Sequence, residues 1–236
     1  MAVHAALLAF ALLVVSQEPV PETRPATEDL LPFVKREGFN PLPRGTPPIP
    51  AKFAASAKRE DVVAELPLAA VGAKEGQSIA DIGCGEGLHA FPLAQAVGPK
   101  GRVYCRDVSE FAIGSVRERA EREGVRNLDI ALSKEDDVGL PASSVDVALL
   151  CDVYHIVAFS QARTSAAFLD SLHRAMKPGG VVVVCYARTN AAFGREQQVA
   201  MTVEDFTRQG FVAGWRWDFV EEPNRPQVLE FQKPAS

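Results

Sequence analysis

Apolar residues recur along most of the chain in blocks whose spacing alternates between that of strands and that of helices. Five short runs predict strands: 77–82, 102–106, 127–132, 145–151 and 181–186. The fourth and fifth have the nearly continuous apolar character of strands covered on both faces of a sheet. Apolar residues three or four positions apart predict helices between and around these runs: 58–66, 86–97, 109–123, 159–176 and 202–210. The first helix is expected to end at Pro67 because proline disrupts a helix interior.

Strands and helices alternate regularly through the fifth strand, which indicates parallel strands joined by right-handed crossovers. Residues 211–219 and 227–232 then alternate in polarity around a proline-rich turn and predict two closing strands at an antiparallel edge. We therefore expect an α/β fold of the Rossmann-like, doubly wound kind. It would be a mostly parallel, seven-stranded sheet with an antiparallel last strand and helices on both faces.

The N-terminal part of the chain has a different composition. Residues 5–15 are an unbroken apolar run, too short to span a bilayer as a helix. Residues 1–16 resemble a signal peptide that lacks a lysine or arginine before its core, and residues 17–50, with nine of the seventeen prolines, predict an extended linker. We expect one domain over residues 51–236, and we favour export or membrane tethering through residues 5–15 over a cytoplasmic location.

The net charge and the positions of the cysteines limit the kinds of ligand that this domain is expected to bind. The net charge is −5 and no basic run occurs, which argues against nucleic acid as a partner. The four cysteines fall in or just after predicted core strands without Cys-x-x-Cys spacing, so they are expected to be buried free thiols, and no metal site is expected: Cys84, Cys105, Cys151 and Cys185. A redox link between Cys84 and Cys151 is an open alternative, because both would lie at the carboxyl ends of neighbouring strands.

The most informative stretch joins the first strand to the next helix. It reads Asp81-Ile-Gly-Cys-Gly-Glu-Gly87, and its glycines would let the backbone approach a ligand closely. The spacing is G-x-G-x-G, directly preceded by Asp-Ile, whereas dinucleotide-binding folds use G-x-G-x-x-G. This pattern resembles motif I of the class I S-adenosylmethionine-dependent methyltransferases.

Two carboxylates support this interpretation. Asp107 ends the second strand, twenty residues after Gly87, where a carboxylate faces the ribose hydroxyls of a bound adenosine. A helix-start carboxylate is the simpler alternative. Asp81 would lie beneath the amino acid end of the cofactor, where a carboxylate attracts the ammonium group, whereas it would repel a pyrophosphate. S-adenosylmethionine is therefore favoured over NAD.

Further blocks extend the resemblance over roughly residues 56–233. These are the acidic loop at 132–141, the strand block at 143–155 and the Lys-Pro-Gly-Gly turn at 177–180. The closest overall similarity is to small "type 11" methyltransferases, including members with an N-terminal hydrophobic segment. The resemblance implies S-adenosylmethionine as cofactor and the following cofactor-binding residues: Asp81, Gly83, Cys84, Gly85, Gly87, Asp107, Val108, Glu135, Asp136 and Cys151. It leaves open whether Glu135 or Asp136 contacts adenine, because Lys134 stands where the family often carries an acid.

Candidate catalytic residues follow the fourth strand, where the methyl acceptor should bind. His155 is the candidate base that would remove a proton from the acceptor, and Tyr154 or Asp152 would orient the substrate. A packed histidine that caps the next helix is the alternative. The predicted function is methyl transfer from S-adenosylmethionine to a small-molecule acceptor. The alternatives are a non-catalytic S-adenosylmethionine-binding module and, disfavoured by the glycine spacing, an NAD(P)-dependent oxidoreductase.

Overall fold

The structure is a computed structural model that describes residues 59–159, 164–186, 195–218 and 227–235. The predicted signal-like segment and linker lie outside these residues. The helices, numbered in chain order, are α1 (Arg59–Val71), α2 (Ala90–Val97), α3 (Glu110–Glu123), α4 (Tyr154–Phe159), α5 (Ser165–Ala175) and α6 (Arg195–Arg208). The strands are β1 (Ser78–Ile82), β2 (Arg102–Asp107), β3 (Leu128–Leu132), β4 (Val145–Cys151), β5 (Met176–Tyr186), β6 (Val212–Asp218) and β7 (Gln227–Gln232).

All seven strands form one sheet in the order β3-β2-β1-β4-β5-β7-β6. The pairs from β3 to β5 are parallel, and β7 runs antiparallel to both of its neighbours. This confirms the predicted doubly wound, mostly parallel sheet with an antiparallel last strand. The strand order reverses between β1 and β4, so their carboxyl ends flank the crevice in which open α/β sheets bind ligands.

Alternate residues of the strands enter two separate apolar cores, one on each face of the sheet. In β1, Ile79 packs into the core shared with α1, α2 and α3, whereas Ala80 and Ile82 pack into the core shared with α4, α5 and α6. Burial on both faces explains why β4 and the segment 181–186 of β5 are nearly continuous apolar runs. It also confirms that helices cover both faces.

Helix ends follow the predicted capping signals in α3. The Ser109 side chain accepts a hydrogen bond from the amide of Ala112, and Gly124 ends the helix in the left-handed conformation. Pro92 is the third residue of α2. Its missing N–H falls in the first turn, where amides have no partner within the helix.

Four predicted boundaries were wrong by five residues or more, and each depends on packing between elements that the local sequence does not record. Helix α1 continues through Pro67 to Val71. The helix predicted over 159–176 corresponds to α5, which begins at Ser165, and the preceding helix α4 was not predicted. Helix α6 begins at Arg195 rather than Thr202.

The fourth error is the start of β5, which lies at Met176 rather than Val181. Met176 pairs with Val145 and Val181 pairs with Val147, so the Lys-Pro-Gly-Gly segment forms an irregularity within the strand. The ammonium group of Lys177 bonds both carboxylate oxygens of Asp146 at 2.8 Å and holds this segment against β4.

Candidate functional site

A cleft of about 640 Å³ opens at the carboxyl ends of the parallel strands, where the strand order reverses. Its walls are the turns that follow β1, β2, β3 and β4, together with Thr164 and Phe168. Seven predicted site residues line it: Gly83, Asp107, Val108, Glu135, Cys151, Asp152 and His155. The other predicted residues do not: Asp81, Cys84, Gly85, Gly87, Asp136 and Tyr154.

The glycine turn is tightly packed at Gly83, whereas the space beside Gly85 is empty. Gly83 has a φ of +70°, and a Cβ there would lie 2.2 Å from a methyl carbon of Val153. Gly85 also has a positive φ, +52°, but a Cβ there would meet nothing within 4 Å. The turn is therefore packed against the β4 side at Gly83, whereas Gly85 leaves space for a ligand to approach the backbone.

Asp107 is held in place by main-chain amides. Its Oδ2 accepts a hydrogen bond from the amide of Gly85 and its Oδ1 accepts one from the amide of Ser109, both at 2.9 Å. These bonds fix the carboxylate on the cleft wall, and each oxygen keeps a second lone pair. Asp107 can therefore accept from two ligand hydroxyls, as the sequence predicts.

Asp81 is an almost fully buried carboxyl group beneath the glycine turn, with 1% of its surface exposed. The amide of Ala90 donates to the carboxyl group, while its Oδ2 atom is enclosed without a hydrogen-bond partner. Burial, together with the charge of Asp107, raises the pKa of Asp81 to about 7. An unpartnered carboxylate oxygen of this kind suits a cationic donor, because an ammonium group would satisfy the oxygen and stabilise the charged form.

The wall beyond β3 contains Glu135 but not Asp136, which is exposed. Of the two acids that the sequence left open, the structure thus places Glu135 at the cleft. Arg106 holds the base of this wall. It is 4% exposed, donates to the carbonyl oxygens of Gly139 and Asp129, and pairs with the Asp129 carboxylate at 2.9 Å.

Sequence reasoning missed Arg106. An arginine within the apolar strand β2 could have signalled a buried cation that requires partners. Its partners are mainly main-chain oxygens, however, and no sequence pattern reveals these.

The opposite wall carries Asp152 and His155 at the end of β4. Asp152 has a φ of +56°, an uncommon backbone conformation for a residue with a side chain. The Nδ1 atom of His155 is buried without a hydrogen-bond partner. Burial lowers the pKa of His155, and the nearby charge of Asp152 opposes this effect. A neutral imidazole, which can accept a proton, is therefore the favoured form near pH 7.

Tyr154 does not join these residues. Its side chain is fully buried, its hydroxyl donates to Oδ2 of Asp205 at 2.8 Å, and its ring lies 5.0 Å from that of Phe206. Burial, followed by the charge of Asp205, raises the pKa of the Tyr154 hydroxyl. The side chain of Tyr154 therefore lies in the core and not in the cleft. The prediction that Tyr154 orients a substrate is wrong, and its role is structural.

A larger groove of about 750 Å³ lies at the opposite edge of the sheet, between α2, α3 and the start of β2. Ligands of open α/β sheets bind at the carboxyl edge instead, so we assign the site to the smaller cleft. Among the described residues no group of three or more histidine, cysteine or acidic side chains could hold a metal ion. No helix in the described ranges is long and apolar enough to cross a membrane.

Comparison with known proteins identifies the family. A family model described as a methyltransferase domain matches residues 73–224. The chain belongs to this methyltransferase-domain family. The match covers the sheet through β6 and every residue that lines the cleft.

Individual relatives of this methyltransferase-domain protein match shorter regions. A demethylmenaquinone methyltransferase of Geobacillus kaustophilus is 28% identical over 141 residues, which cover 59% of this chain and 55% of the relative. An aklanonic acid methyltransferase of a Streptomyces species is 35% identical over 74 residues, 31% of this chain and 34% of the relative. The chain therefore spans only about a third to a half of these relatives.

A solved structure supports the fold. A SAM-dependent methyltransferase from Aquifex aeolicus superposes with a TM-score of 0.60 at 22% identity, covering 79% of this chain and all of that one. Similarity at this identity establishes the shared fold, and the site must be judged by its own residues.

The residues of the cleft and of the adjoining glycine turn fit S-adenosylmethionine, the methyl donor of this family. The unpartnered Oδ2 of Asp81 suits an ammonium group, and the Asp107 carboxylate suits a pair of ribose hydroxyls. The open space at Gly85 suits a ligand that lies against the backbone. Three acids facing or underlying the cleft, Asp81, Asp107 and Asp152, also favour a cofactor with a positively charged sulfur.

Proposed function

We propose that this protein transfers a methyl group from S-adenosylmethionine to a small-molecule acceptor. The observation that carries the proposal is the pair of carboxylates at the glycine turn, one buried with an unpartnered oxygen and one fixed on the cleft wall. The names of two relatives, demethylmenaquinone methyltransferase and aklanonic acid methyltransferase, state small-molecule acceptors for those proteins. We infer the same broad class of acceptor here.

Each end of the cofactor has a candidate binding group. Asp81 would bind the ammonium group and Asp107 the two ribose hydroxyls. Glu135 would accept from the adenine amino group, and the exposed side chain of Val108 would cover the adenine ring. A hydrogen bond to a charged group contributes roughly 1.5–3 kcal/mol, so Asp81 and Asp107 are expected to contribute most of the polar binding energy.

His155 is the proposed catalytic base. The bound cofactor supplies an electrophilic methyl group on a sulfonium sulfur. The protein then has to align the acceptor, an effect that can contribute on the order of 7–11 kcal/mol, and to remove any proton from the attacking atom. His155 lines the cleft, and its lowered pKa leaves it neutral at pH 7. Asp152, beside it, would stabilise the imidazolium that forms.

Binding and transfer are tested separately. Calorimetry should detect S-adenosylmethionine and S-adenosylhomocysteine but not NAD, and absence of S-adenosylmethionine binding at millimolar concentration would overturn the proposal. Transfer is then measured with methyl-labelled S-adenosylmethionine and a fractionated small-molecule extract, in which label is expected in one fraction. Binding without any transfer would instead identify a non-catalytic S-adenosylmethionine-binding module.

The role of His155 is tested by His155→Ala. This variant should bind S-adenosylmethionine as the wild type does and lose about 10²–10⁴-fold in turnover. His173→Ala provides a matched control, because His173 lies on α5 against Phe211 and does not line the cleft. Undiminished turnover in His155→Ala would show that the histidine only packs.

We also propose that residues 5–15 direct export or anchor the protein to a membrane. The support is the apolar run itself, followed by a proline-rich segment that can separate it from the domain. Fractionation of cells expressing the full chain tests this proposal, with a chain that starts at residue 17 as control. Recovery of both in the cytoplasmic fraction would contradict it.

A further inference from the structure

The fold brings the four cysteines together as two thiol pairs. Cys105 interacts with Cys84, and Cys185, which is opposite Cys151 in the strand register, interacts with Cys151. All four are free thiols and belong to, or pack against, the same apolar core. The expected free thiols are therefore present, and the strand register places Cys151 opposite Cys185 rather than opposite Cys84.

Cys151 and Cys185 have a backbone arrangement that a disulfide can bridge. They are directly opposite each other in the parallel strands β4 and β5, where neighbouring strands lie about 4.7–4.9 Å apart. Disulfides join Cα atoms about 4.4–6.8 Å apart. Both side chains point to the same face of the sheet, and the amide of Asp152 donates to the carbonyl of Cys185 at 2.8 Å. The two strand ends are thus already held together.

The two pairs differ in their access to solvent. Cys151 is partly exposed and lines the cleft, while its partner Cys185 is buried with 1% exposed surface. Cys84 and Cys105 are both buried, with 6% and 0% exposed. Oxidation of cysteine follows thiolate character and exposure, and formation of a disulfide additionally requires a nearby thiol that resolves the sulfenic acid. Only the pair at the cleft combines an accessible thiol with a buried neighbour.

We propose that Cys151 and Cys185 form a peroxide-responsive pair whose conversion to a disulfide weakens cofactor binding. The Cys151 sulfur attacks one oxygen of hydrogen peroxide, the O–O bond breaks, and a sulfenic acid and water form. The Cys185 sulfur then displaces the sulfenic oxygen as a second water. Two thiols and one peroxide thus yield one disulfide and two waters, with peroxide reduced and both sulfurs oxidised.

Contacts at the end of β4 would carry this change to the glycine turn. A disulfide bond of about 2.05 Å requires the two sulfurs to approach each other, so the Cys151 side chain must turn toward β5 at the strand end that leads to Val153. Two residues later, Val153 packs against Gly83 so closely that no Cβ fits between them. We therefore expect oxidation to move this contact and to lower the affinity for S-adenosylmethionine at least tenfold.

The first test maps the cross-link. The full-length protein is treated with hydrogen peroxide, denatured, alkylated and digested with trypsin, which places the four cysteines in separate peptides: 75–100, 103–106, 135–163 and 175–188. Peptides 135–163 and 175–188 should become linked, while the other two remain alkylated. Their failure to link, or equal linking of Cys84 to Cys105, would overturn the proposal.

The second test measures the consequence by calorimetry with S-adenosylmethionine. Oxidised wild type should bind at least tenfold more weakly than reduced protein, and dithiothreitol should restore binding. Cys185→Ala serves as control, since Cys185 does not line the cleft. It should bind normally when reduced, and because peroxide can convert its Cys151 only to a sulfenic acid and not to this disulfide, its affinity should fall less than that of the oxidised wild type. Equal loss in this variant, or unchanged binding by the oxidised wild type, would refute the switch. Absence of binding by reduced wild type would instead overturn the proposed function, because the mapped cross-link does not depend on it.

Discussion

Replacing Asp81 by asparagine should stabilise the free protein while weakening cofactor binding. The pKa of Asp81 rises from 3.8 to about 7 on folding, mainly through burial. Because one pH unit of pKa corresponds to about 1.4 kcal/mol, ionising this group costs about 4 kcal/mol more in the folded protein than in the unfolded chain. A neutral side chain of the same shape avoids that cost.

The pH dependence of folding stability follows from the direction in which folding shifts the pKa of Asp81. The folded pKa lies above the unfolded value, so the folded state binds more protons between about pH 4 and pH 7. The contribution of Asp81 to stability is therefore most favourable below pH 4, decreases as the pH rises to about 7, and stays constant above it. Asp81→Asn should lack this decrease, so its advantage should appear mainly above pH 6.

The net stability gained by Asp81→Asn is smaller than the cost of ionising Asp81. The asparagine amide would replace Oδ2, which has no partner in its pocket, and a buried unsatisfied donor costs about 1–3 kcal/mol. A gain of about 1–3 kcal/mol therefore remains at pH 8. For a domain of this size, this gain in stability corresponds to a melting temperature about 2–12 °C higher. Loss of the carboxylate should lower the affinity for S-adenosylmethionine about 10–150-fold, equivalent to 1.5–3 kcal/mol.

Two measurements check these expectations. Thermal melts of wild type, Asp81→Asn and the control Asp136→Asn are compared from pH 5 to pH 8.5; Asp136 undergoes the same chemical change on an exposed loop. Calorimetry at pH 6 in two buffers of different ionisation enthalpy counts the protons released when S-adenosylmethionine binds the wild type. Parallel pH profiles for wild type and Asp81→Asn, or unchanged cofactor affinity, would refute the reasoning.

Three further predictions concern the same cleft. Gly83→Ala should destabilise the protein by more than about 1–2 kcal/mol, the usual cost of a positive φ, because the added methyl also collides with Val153; a thermal melt no lower than that of wild type would contradict this. Tyr154→Phe should lose about 1–2 kcal/mol of stability with its bond to Asp205 but keep wild-type kcat, whereas a large loss of kcat would restore Tyr154 to the site. At saturating S-adenosylmethionine, kcat should rise with pH to a plateau with a midpoint below 6.5, since burial lowers the pKa of His155, and a midpoint above 6.5 would argue against His155 as base.

The sequence predicted the sheet well because burial on both faces leaves a strong signal. The strand predicted over 145–151 matches β4, and the final strand matches β7. Helix ends with local signals, such as Ser109 and Gly124, were also predicted correctly. Pro67 was misread because packing of α1 outweighs a lost hydrogen bond. The early start of β5 depends on its pairing with Val145, which no local pattern records.

The candidate site was predictable where residues act through their position at strand ends. The position of Asp107 on the cleft wall follows from this rule, whereas the presence of Glu135 rather than Asp136 at the cleft does not. Tyr154 adjoins His155 in sequence, yet helix α4 sends the two side chains in different directions. The thiol pairs were not predictable, because Cys151 and Cys185 meet only through the register of two strands.

The position of β7 has a consequence for how the protein is made. Strand β7 follows β6 in the chain but lies between β5 and β6 in the sheet, so β6 has no strand to pair with until β7 has been synthesised. A chain emerging from the ribosome can therefore assemble the parallel half, with its cleft, before the other half exists. Completion of the sheet waits for the last strand to insert. Nascent chains halted before residue 227 should thus protect β1 and β4, but not β6, against proteolysis.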